Sequence, residues 1–214
     1  MKIADIRREY SLAGLRRADL DANPIAQFQK WFEQAAKVFA QKEIDVNAAT
    51  LATADKNGKP SARIILLKGL DERGFIFFTN YNSRKGRELA ENPNAALTFY
   101  WSEMERQICI AGFVEKISRE ESENYFKSRP RGSRLATLAS NQSDVVADRA
   151  ALEKKWSALA EKFPGEVPLP PHWGGFVLRP ERIEFWQGRP SRLHDRFQYT
   201  RQPDNSWKLE RLAP

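Results

Sequence analysis

The spacing of apolar positions changes along the chain and separates a helical segment from a long sheet-forming one. From Ile25 to Phe39, apolar residues recur at steps of three and four, which is typical of one face of an amphipathic helix. Asn23 and Pro24 directly before this segment predict an N-cap and a first helical residue. Residues 1–22 are polar and basic, so we expect them to form an arm in front of the helix.

Beyond this helix the apolar runs are short, often β-branched, and separated by turn residues, which predicts antiparallel strands joined as hairpins. Asn57 and Gly58 supply the positive φ that a tight hairpin turn needs. Five strands are predicted first, over 48–54, 62–68, 75–79, 95–101 and 107–117, and two or three more follow over 182–187, 193–200 and 207–212.

Four helical segments interrupt or follow these strands. They are predicted from Ser83 to about Glu91 and over 120–128, 132–139 and 144–162. Because the strands come in hairpin order and do not alternate with helices, the pattern favours an antiparallel barrel over a doubly wound sheet. We therefore expect a fold that is mainly β with appended helices. The last segment is too short to fold alone, so we predict one domain over 1–214.

Composition is that of an ordinary globular protein with a basic bias. Of the 214 residues, 41 % are hydrophobic and 29 % charged, which excludes fibrous and fully disordered chains. The net charge of +7 favours an anionic partner, whether nucleic acid, acidic lipid or a phosphorylated small molecule. Composition alone does not choose among these three.

Cysteine and histidine are scarce. Cys109 is the single cysteine and cannot form an internal disulfide, which favours a reducing compartment. Together with His172 and His194 it is too little for a four-ligand zinc site, so no metal is expected. We recognise neither a signal peptide nor a membrane span, and expect a cytoplasmic protein with no membrane partner.

Two basic segments lie where an anion could bind. Arg63 and Lys68 bracket an apolar strand, and they either seek solvent or hold an anion. Ser83, Arg84 and Lys85 open a helix, where free backbone N–H groups and the helix dipole favour a phosphate. For both segments an ordinary solvated surface is the competing interpretation.

Two further basic segments are denser. Four cations, Lys127, Arg129, Arg131 and Arg134, fall within a short stretch that contains no acidic residue. Near the C-terminus, Arg189, Arg192, His194 and Arg196 follow a tryptophan, and on a regular strand the last three would share one face. Like charges on one face repel each other unless an anion lies between them. The chain has neither a G-x-G-x-x-G nor a P-loop motif, so these anion sites are not of the Rossmann or P-loop kind.

The basic segments together predict about two phosphate-sized anion sites on a mostly β domain. A phosphorylated aromatic cofactor with a phosphorylated substrate fits this pattern, and so does an RNA-binding barrel.

Several short motifs, taken together and in order, resemble the pyridoxamine 5′-phosphate oxidase family nearly from end to end. Each motif is weak alone, and the combination is specific. They are Arg7-Arg8-Glu9-Tyr10, 63–68 (RIILLK), Thr79-Asn80, Ser83-Arg84-Lys85, 128–131 (SRPR), 184–188 (EFWQG), 192–196 (RLHDR) and 211–214 (RLAP).

The resemblance implies an FMN-binding split β-barrel that forms a homodimer with two flavin sites at the subunit interface. It implies oxidation of pyridoxamine 5′-phosphate or pyridoxine 5′-phosphate to pyridoxal 5′-phosphate, with O2 as acceptor and H2O2 as product, and no nucleic-acid partner. It further implies that residues 1–22 are a mobile arm and that 172–214 complete the active site and the dimer interface.

Site residues follow from the same resemblance. The positions implied to contact FMN are Arg63, Ile64, Ile65, Leu66, Leu67, Lys68, Phe78, Thr79, Arg84, Lys85, Gln107, Gln142, Ser143, Trp186 and Arg196. Those implied to bind the substrate are Arg7, Arg8, Glu9, Tyr10, Lys68, Tyr125, Arg129, Ser133, Arg192, Leu193 and His194. Of these, Arg192 and His194 are expected over the substrate ring as the catalytic pair, while Lys68, Tyr125, Arg129 and Ser133 would hold its phosphate.

Two other functions stay open beside the oxidase. A non-catalytic RNA- or anion-binding barrel could use the same basic segments, and a flavin reductase or flavin carrier could share the fold. Arg16, Arg17 and Arg211 form another basic set near the termini, either solvated or able to bind a second phosphate.

Overall fold

The computed structural model describes residues 2–6, 8–40, 42 and 44–214. Within these residues nine strands form one antiparallel sheet. They are β1 (Ala48–Ala54), β2 (Pro60–Leu66), β3 (Gly69–Asp71), β4 (Gly74–Asn80), β5 (Asn94–Trp101), β6 (Arg106–Lys116), β7 (Trp173–Gln187), β8 (Asp195–Arg201) and β9 (Trp207–Leu212).

The strand order is β2-β1-β5-β6-β7-β4-β3, and β8 pairs with β7 and with β9. In the described part of the chain β2 and β3, the two ends of this path, do not pair with each other, so the sheet is not closed. The open sheet is compatible with a split barrel. The expectation of a mainly β fold with appended helices is confirmed.

Five α-helices surround the sheet in the described segments: α1 (Pro24–Phe39), α2 (Arg84–Glu91), α3 (Arg119–Ser128), α4 (Arg131–Ala139) and α5 (Arg149–Lys162). None of the described helices combines the length and apolarity needed to span a bilayer. The predicted N-cap is confirmed, because the Asn23 side chain accepts a hydrogen bond from the Ile25 N–H at 2.9 Å.

Helix α1 covers one face of the sheet with aromatic side chains. Phe28 is 1 % exposed, and its ring centroid lies 4.9 Å from that of Phe75 on β4 and 5.1 Å from that of Phe99 on β5. Burying a side chain of this size stabilises the fold by about 1.5–3 kcal/mol. This core leaves the opposite side of β4, next to α3 and α4, available for a pocket.

Four predicted elements have wrong boundaries. The predicted 62–68 strand spans Pro60–Leu66, so Lys68 lies just beyond it. The predicted 182–187 strand is the second part of a longer strand, β7, which begins at Trp173. The predicted 144–162 helix begins only at Arg149. The Asp148 side chain caps this helix, because it accepts a hydrogen bond from the Ala151 N–H at 2.7 Å. The predicted 193–200 strand begins only at Asp195, which changes the arrangement of the C-terminal basic segment.

Candidate active site

A cavity of about 480 Å³ opens between β2, β4, α2, α3 and α4, and we call it the pocket. Its walls combine apolar side chains with three cations. They are formed by Ile64, Ile65, Leu66, Lys68, Phe78, Thr79, Asn80, Lys85, Tyr125, Arg129, Ser133, Ala136, Thr137, Ser140, Gln142 and Trp173.

One wall of the pocket is a stack of three nearly parallel aromatic rings. The Phe78 and Tyr125 ring centroids are 3.9 Å apart at 18°, and Phe78 and Trp173 are 5.5 Å apart at 14°. Burial raises the pKa of the Tyr125 hydroxyl, so Tyr125 is neutral at neutral pH and keeps a proton that it can donate to a ligand. The stack gives the pocket a rigid, flat side.

A buried carboxylate organises the cations at the α2 end of the pocket. Glu88 Oε2 accepts hydrogen bonds from Thr53 at 2.5 Å, Ser61 at 2.6 Å and Arg63 at 3.2 Å, and its Oε1 accepts from Arg84 Nε at 2.8 Å. Burial alone would raise the pKa of Glu88. The hydrogen bonds from Ser61, Thr53, Arg84 and Arg63 outweigh burial and hold it at about 2. Glu88 is therefore charged and fixes both guanidinium groups.

Lys85 points into the pocket with no carboxylate on its ammonium group among the described residues. Its Nζ lies 3.3 Å from the Thr79 hydroxyl and 3.2 Å from Gln142 Oε1. Burial, and then the charge of Arg63, lower the pKa of Lys85. A half-buried ammonium group with only neutral partners is stabilised by an anion placed beside it.

The predicted phosphate site at the start of α2, formed by Ser83, Arg84 and Lys85, differs from the expectation. We call it the cradle. The Ser83 hydroxyl donates to the Asn80 carbonyl at 2.6 Å and accepts from the Gly86 N–H at 3.2 Å, so it serves as the helix cap. The Arg84 N–H donates to Ser143 Oγ at 3.1 Å. Ser143 and its neighbour Gln142 thus reach the cradle from the loop after α4.

The second group of pocket cations comes from the end of β2 and from the junction between α3 and α4. Lys68 follows the end of β2, and Arg129 lies between α3 and α4. The Arg129 guanidinium carbon sits 4.8 Å from the Trp173 ring centroid, and its Nη1 donates to Thr137 Oγ1 at 2.8 Å. Ser133 faces the same cavity. Lys68, Tyr125, Arg129 and Ser133 are therefore brought together in the pocket.

The four cations between Lys127 and Arg134 do not form one cluster. Lys127 pairs with Glu123 at 2.8 Å, outside the pocket. Arg131 donates to the carbonyls of Ala160 at 3.0 Å and Phe163 at 2.6 Å, where it caps the end of α5. Only Arg129 of the four cations lines the pocket. The expectation that all four form one anion site is wrong, because a carboxylate one helical turn away pairs with Lys127 and carbonyls distant in sequence bind Arg131.

A second group of predicted site residues gathers at the far end of β7, and we call it the β7-end cluster. The Trp186 ring centroid lies 4.6 Å from the His194 ring and 5.5 Å from the Tyr10 ring. Gln107 on β6 is the ladder partner of Trp186, and Arg192, Leu193 and Arg196 follow in the adjoining loop and strand. Gly188 permits the approach of the arm, because a Cβ there would lie 2.7 Å from Tyr10 Cβ.

The Arg192-Leu193-His194 segment is a loop, and the expectation of a regular strand there is wrong. Residues 190–192 form a 3-10 turn in which Ser191 and Arg192 have φ values of 55° and 60°. Arg192 and Leu193 are exposed. His194 Nδ1 accepts the Arg189 N–H at 3.1 Å, which leaves the proton of the neutral imidazole on Nε2. The alternation argument therefore does not place Arg192, His194 and Arg196 on one face.

Carboxylates also neutralise the charges expected to repel each other there. Arg196 makes a two-point contact with Glu184 at 2.7 and 3.0 Å. Arg189 and Arg211 both pair with Asp195, at 3.5 and 2.9 Å. Arg192 is the cation of this cluster with no carboxylate partner among the described residues.

Two carboxylates fix the N-terminal arm over the β7-end cluster. Glu105 Oε2 accepts the Leu12 N–H at 3.0 Å and Asp195 Oδ2 accepts the Leu15 N–H at 3.0 Å. Arg8 lies 3.7 Å from Glu105. Glu9 is exposed, and Arg7 lies outside the described residues.

The basic set near the termini is largely engaged. Arg16 pairs with Asp19 at 2.9 Å, Arg17 donates to the Leu209 carbonyl at 3.1 Å, and Arg211 pairs with Asp195. Solvated, locally paired surface is the interpretation that these contacts favour.

The pocket and the β7-end cluster lie at opposite ends of β7. Phe78 pairs with Gly175 near the start of β7, and Trp186 comes eleven residues later on the same strand. An extended strand covers roughly 36 Å over that distance. No residue of the β7-end cluster lines the pocket in the described part of the chain. Within one copy of the chain the predicted site residues therefore form two separate groups.

Several residues at the two sites were not predicted from the sequence. Glu88, Glu105, Thr137 and Trp173 carry no motif, and only the fold brings them to the sites. Leu67, predicted to contact the cofactor, is 7 % exposed and packs in the core, so its side chain does not line the pocket.

Comparison with known families and curated proteins gives matches along nearly the whole chain. A family model described as pyridoxamine 5′-phosphate oxidase matches residues 32–163, and one described as the pyridoxine 5′-phosphate oxidase C-terminal dimerisation region matches 173–214. The chain is 58 % identical over 212 residues to pyridoxine/pyridoxamine 5′-phosphate oxidase 1 of Ralstonia nicotianae, covering 99 % of each protein. It is 54 % identical over 213 residues to the Nostoc punctiforme pyridoxine/pyridoxamine 5′-phosphate oxidase, covering 99 % of this chain and 98 % of that one.

Solved structures agree on the fold. PhzG from Burkholderia lata, crystallised with tetrahydrophenazine-1-carboxylic acid, is 34 % identical and superposes with a TM-score of 0.87 over 95 % of this chain and 100 % of that one. An FMN-binding protein from Nostoc punctiforme related to pyridoxamine 5′-phosphate oxidase is 19 % identical, with a TM-score of 0.69 over 87 % of this chain and 97 % of that one. The second likeness bears on the fold alone.

Proposed function

The chain belongs to the pyridoxamine 5′-phosphate oxidase family, and we propose that it uses FMN to oxidise pyridoxamine 5′-phosphate or pyridoxine 5′-phosphate to pyridoxal 5′-phosphate. The alcohol loses two electrons and two protons to O2, which becomes H2O2. The amine reacts in the same way with water and also releases ammonia. The observation that carries the proposal is one pocket lined by Lys85 from α2 and, separately, by Lys68 and Arg129, which suits two phosphates.

The first cation group fits the FMN phosphate. Lys85 has only neutral partners on its ammonium group among the described residues, and it lies in the first turn of α2, where the helix dipole also favours an anion. Arg63 and Arg84 are held in place by Glu88. The apolar residues of β2, Ile64 to Leu66, and the Phe78 ring would line the isoalloxazine. Bound flavin supplies the redox chemistry, and the chain supplies position and charge.

The second cation group fits the substrate phosphate. Lys68 and Arg129 provide charge, while Tyr125 and Ser133 provide hydroxyl donors. Charge-assisted hydrogen bonds to a phosphate are roughly twice as strong as neutral ones, so this group anchors the substrate. Such an anchor also distinguishes the oxidase from a flavin reductase or carrier, which would not need a second phosphate site.

The β7-end cluster would cover the substrate ring. Arg192 has no carboxylate partner in the described structure and is available to the substrate. His194, held through Nδ1 by the Arg189 N–H, would present an Nε2 donor to the substrate ring. In this arrangement both side chains orient the substrate carbon towards the flavin.

We propose that a complete site combines the pocket of one copy with the β7-end cluster of a second copy. The two half-sites of one chain are too far apart along β7 to meet. A two-fold dimer would form two such composite sites. The matched dimerisation region, 173–214, contains Trp186, Arg192 and His194. Because β7 hydrogen-bonds to both β6 and β4, we further propose that 1–214 fold as one domain. A cytoplasmic location stays a prediction.

The visible spectrum of the purified protein tests the function directly. We expect flavin absorption bands that bleach on anaerobic addition of pyridoxamine 5′-phosphate and return with air. Flavin bands that do not bleach when the substrate is added would favour the flavin reductase or carrier. A colourless protein that added FMN does not restore would refute the proposal and favour the anion-binding alternative.

A double substitution separates the oxidase from the reductase on the same protein. Arg192→Met with His194→Asn should keep the flavin bands and lose turnover of pyridoxamine 5′-phosphate. Full activity of this variant would contradict the proposed substrate site.

A further inference from the structure

We propose that Thr137 is a positioning residue for the substrate phosphate and acts through Arg129. This inference rests on the proposed function, because it assigns Arg129 to that phosphate. Thr137 lies on α4 and lines the pocket, and no motif in the sequence singles it out.

The Thr137 hydroxyl is oriented by its own helix. Its Oγ1 donates to the Ser133 carbonyl at 3.0 Å, one turn earlier on α4. This bond uses the single hydroxyl proton, so the remaining lone pairs of Oγ1 can only accept. The oxygen therefore offers a fixed acceptor to the pocket.

Arg129 uses that acceptor. Its Nη1 donates to Thr137 Oγ1 at 2.8 Å, and its guanidinium carbon sits 4.8 Å from the Trp173 ring centroid. No other side-chain hydrogen bond of Arg129 is formed within the described residues. One N–H is thus tied to the wall of the pocket and the Trp173 ring limits tilting, while the remaining N–H groups stay free for an anion.

The same contact also connects Arg129 with Ser133. Thr137 bonds the backbone of Ser133 and the side chain of Arg129 at once, so two members of the substrate-phosphate group share one anchor. Burial lowers the pKa of Arg129, which shows that its charge is partly desolvated. A desolvated guanidinium group that loses an acceptor swings towards solvent, because it recovers hydrogen bonds there.

The test measures binding without requiring turnover. The ligand is 4-deoxypyridoxine 5′-phosphate, whose 4′ carbon carries no oxidisable group, and the reference ligand is 4-deoxypyridoxine, which lacks the phosphate. Isothermal titration of FMN-loaded protein should show that Thr137→Val weakens the phosphorylated ligand roughly tenfold, the size expected for one hydrogen bond to a charged group. The reference ligand and FMN should bind as before.

Two further variants exclude a merely structural role. Thr137→Ser keeps the hydroxyl and should restore binding of the phosphorylated ligand. In an Arg129→Gln background, Thr137→Val should cause no further loss, because the two substitutions remove the same contact. Thr98→Val, which removes a half-buried threonine hydroxyl that contacts Cys109, is the control and should leave both ligands unaffected.

The outcomes separate this inference from the proposed function. A wild-type protein that prefers the phosphorylated ligand but never oxidises pyridoxamine 5′-phosphate would refute the oxidase and leave the role of Thr137 supported. If Thr137→Val weakens binding of the phosphorylated ligand as much in the Arg129→Gln background as in wild type, the proposed role of Thr137 is overturned. A wild-type protein that binds both ligands equally would overturn both.

Discussion

The pocket and the β7-end cluster are both basic and aromatic, yet they are built in opposite ways. The pocket is framed by the regular elements β2, β4, α2, α3 and α4, while Lys68, Arg129 and Gln142 lie in the connections beside them. The cluster depends on a loop with two residues at positive φ and on an arm tied down by carboxylates. The walls of the pocket are thus held mainly by helices and strands, whereas the cluster depends on a loop and an arm.

The difference shows in how the two regions handle charge. In the pocket a single buried acid, Glu88, holds two arginines while Lys85 is left for an anion. In the cluster, Glu184 and Asp195 neutralise nearly every arginine and leave Arg192 for the substrate. Among the described residues each region thus contains at least one cation without a carboxylate partner. Substitutions can show whether the two regions belong to one catalytic site.

The largest expected effect comes from mixing two inactive variants. Arg129→Gln disables the pocket and Arg192→Met the cluster, and each homodimer should lose activity by roughly 100-fold or more, the scale of losing a charged contact to the substrate. When the two are co-expressed, half of the dimers are mixed, and each mixed dimer has one intact site. Activity should recover to about a quarter of wild type.

A matched mixture serves as the control for that recovery. Arg129→Gln and Lys68→Gln both disable the pocket, so their mixed dimers contain no intact site and should stay inactive. Equal inactivity of both mixtures would contradict a site shared between two copies.

The next effect concerns the stability of the pocket. Glu88→Gln leaves Arg63 and Arg84 without their buried counter-charge and should lower the free energy of unfolding by about 3 kcal/mol. Urea denaturation gives the value. Glu91→Gln, an exposed position on the same helix, should change it by less than about 0.5 kcal/mol. An equal effect of the two substitutions would show that Glu88 does not organise the pocket.

Acid should remove the same stabilisation gradually. The folded pKa of Glu88, about 2, lies below the ordinary value of 4.5, so its contribution is complete above pH 4.5 and disappears as the pH falls towards 2. The shift corresponds to roughly 3 kcal/mol over that window. Urea unfolding of wild type and Glu88→Gln should therefore converge at low pH. Parallel curves from neutral pH down to pH 2 would refute this assignment.

The smallest effect is expected at the arm. Glu105→Gln removes the charge opposite Arg8 but keeps an oxygen for the Leu12 N–H, so KM for the substrate should rise only about two- to threefold. Steady-state kinetics measure it. Glu103→Gln, whose exposed partner is Lys42, should leave KM unchanged. A tenfold rise in KM with Glu105→Gln would mean that the arm contributes as much to substrate binding as the pocket does.

Elements with local signals were predicted well. The bounds of β1 and β9 follow directly from alternation and turn residues, and the Asn57-Gly58 turn has the expected positive φ at Gly58. The predicted 182–187 strand extends back to Trp173 in the structure, because Pro180 sits at an irregularity in the β6–β7 register, where the missing N–H of proline is tolerated.

Contacts between distant segments could not be predicted in the same way. Nothing local to α2 indicates that Glu88 meets Arg63 on β2, since only the tertiary fold brings them together. Likewise, the pairing of Arg196 with Glu184 depends on the β7–β8 register. The loop at 190–194 depends on positive φ values, which serine and arginine seldom adopt. Charge density alone therefore overestimated the number of free cations.

The continuous strand β7 has a genetic consequence. Because its two ends would serve different active sites of a dimer, a chain defective at both ends, such as Arg129→Gln with Arg192→Met, would inactivate every dimer it enters. Co-expressed in equal amounts with wild type, it would leave about a quarter of the activity, whereas independent sites would leave half. Such an allele would be dominant-negative, while either single substitution would be partly tolerated in the mixed dimer.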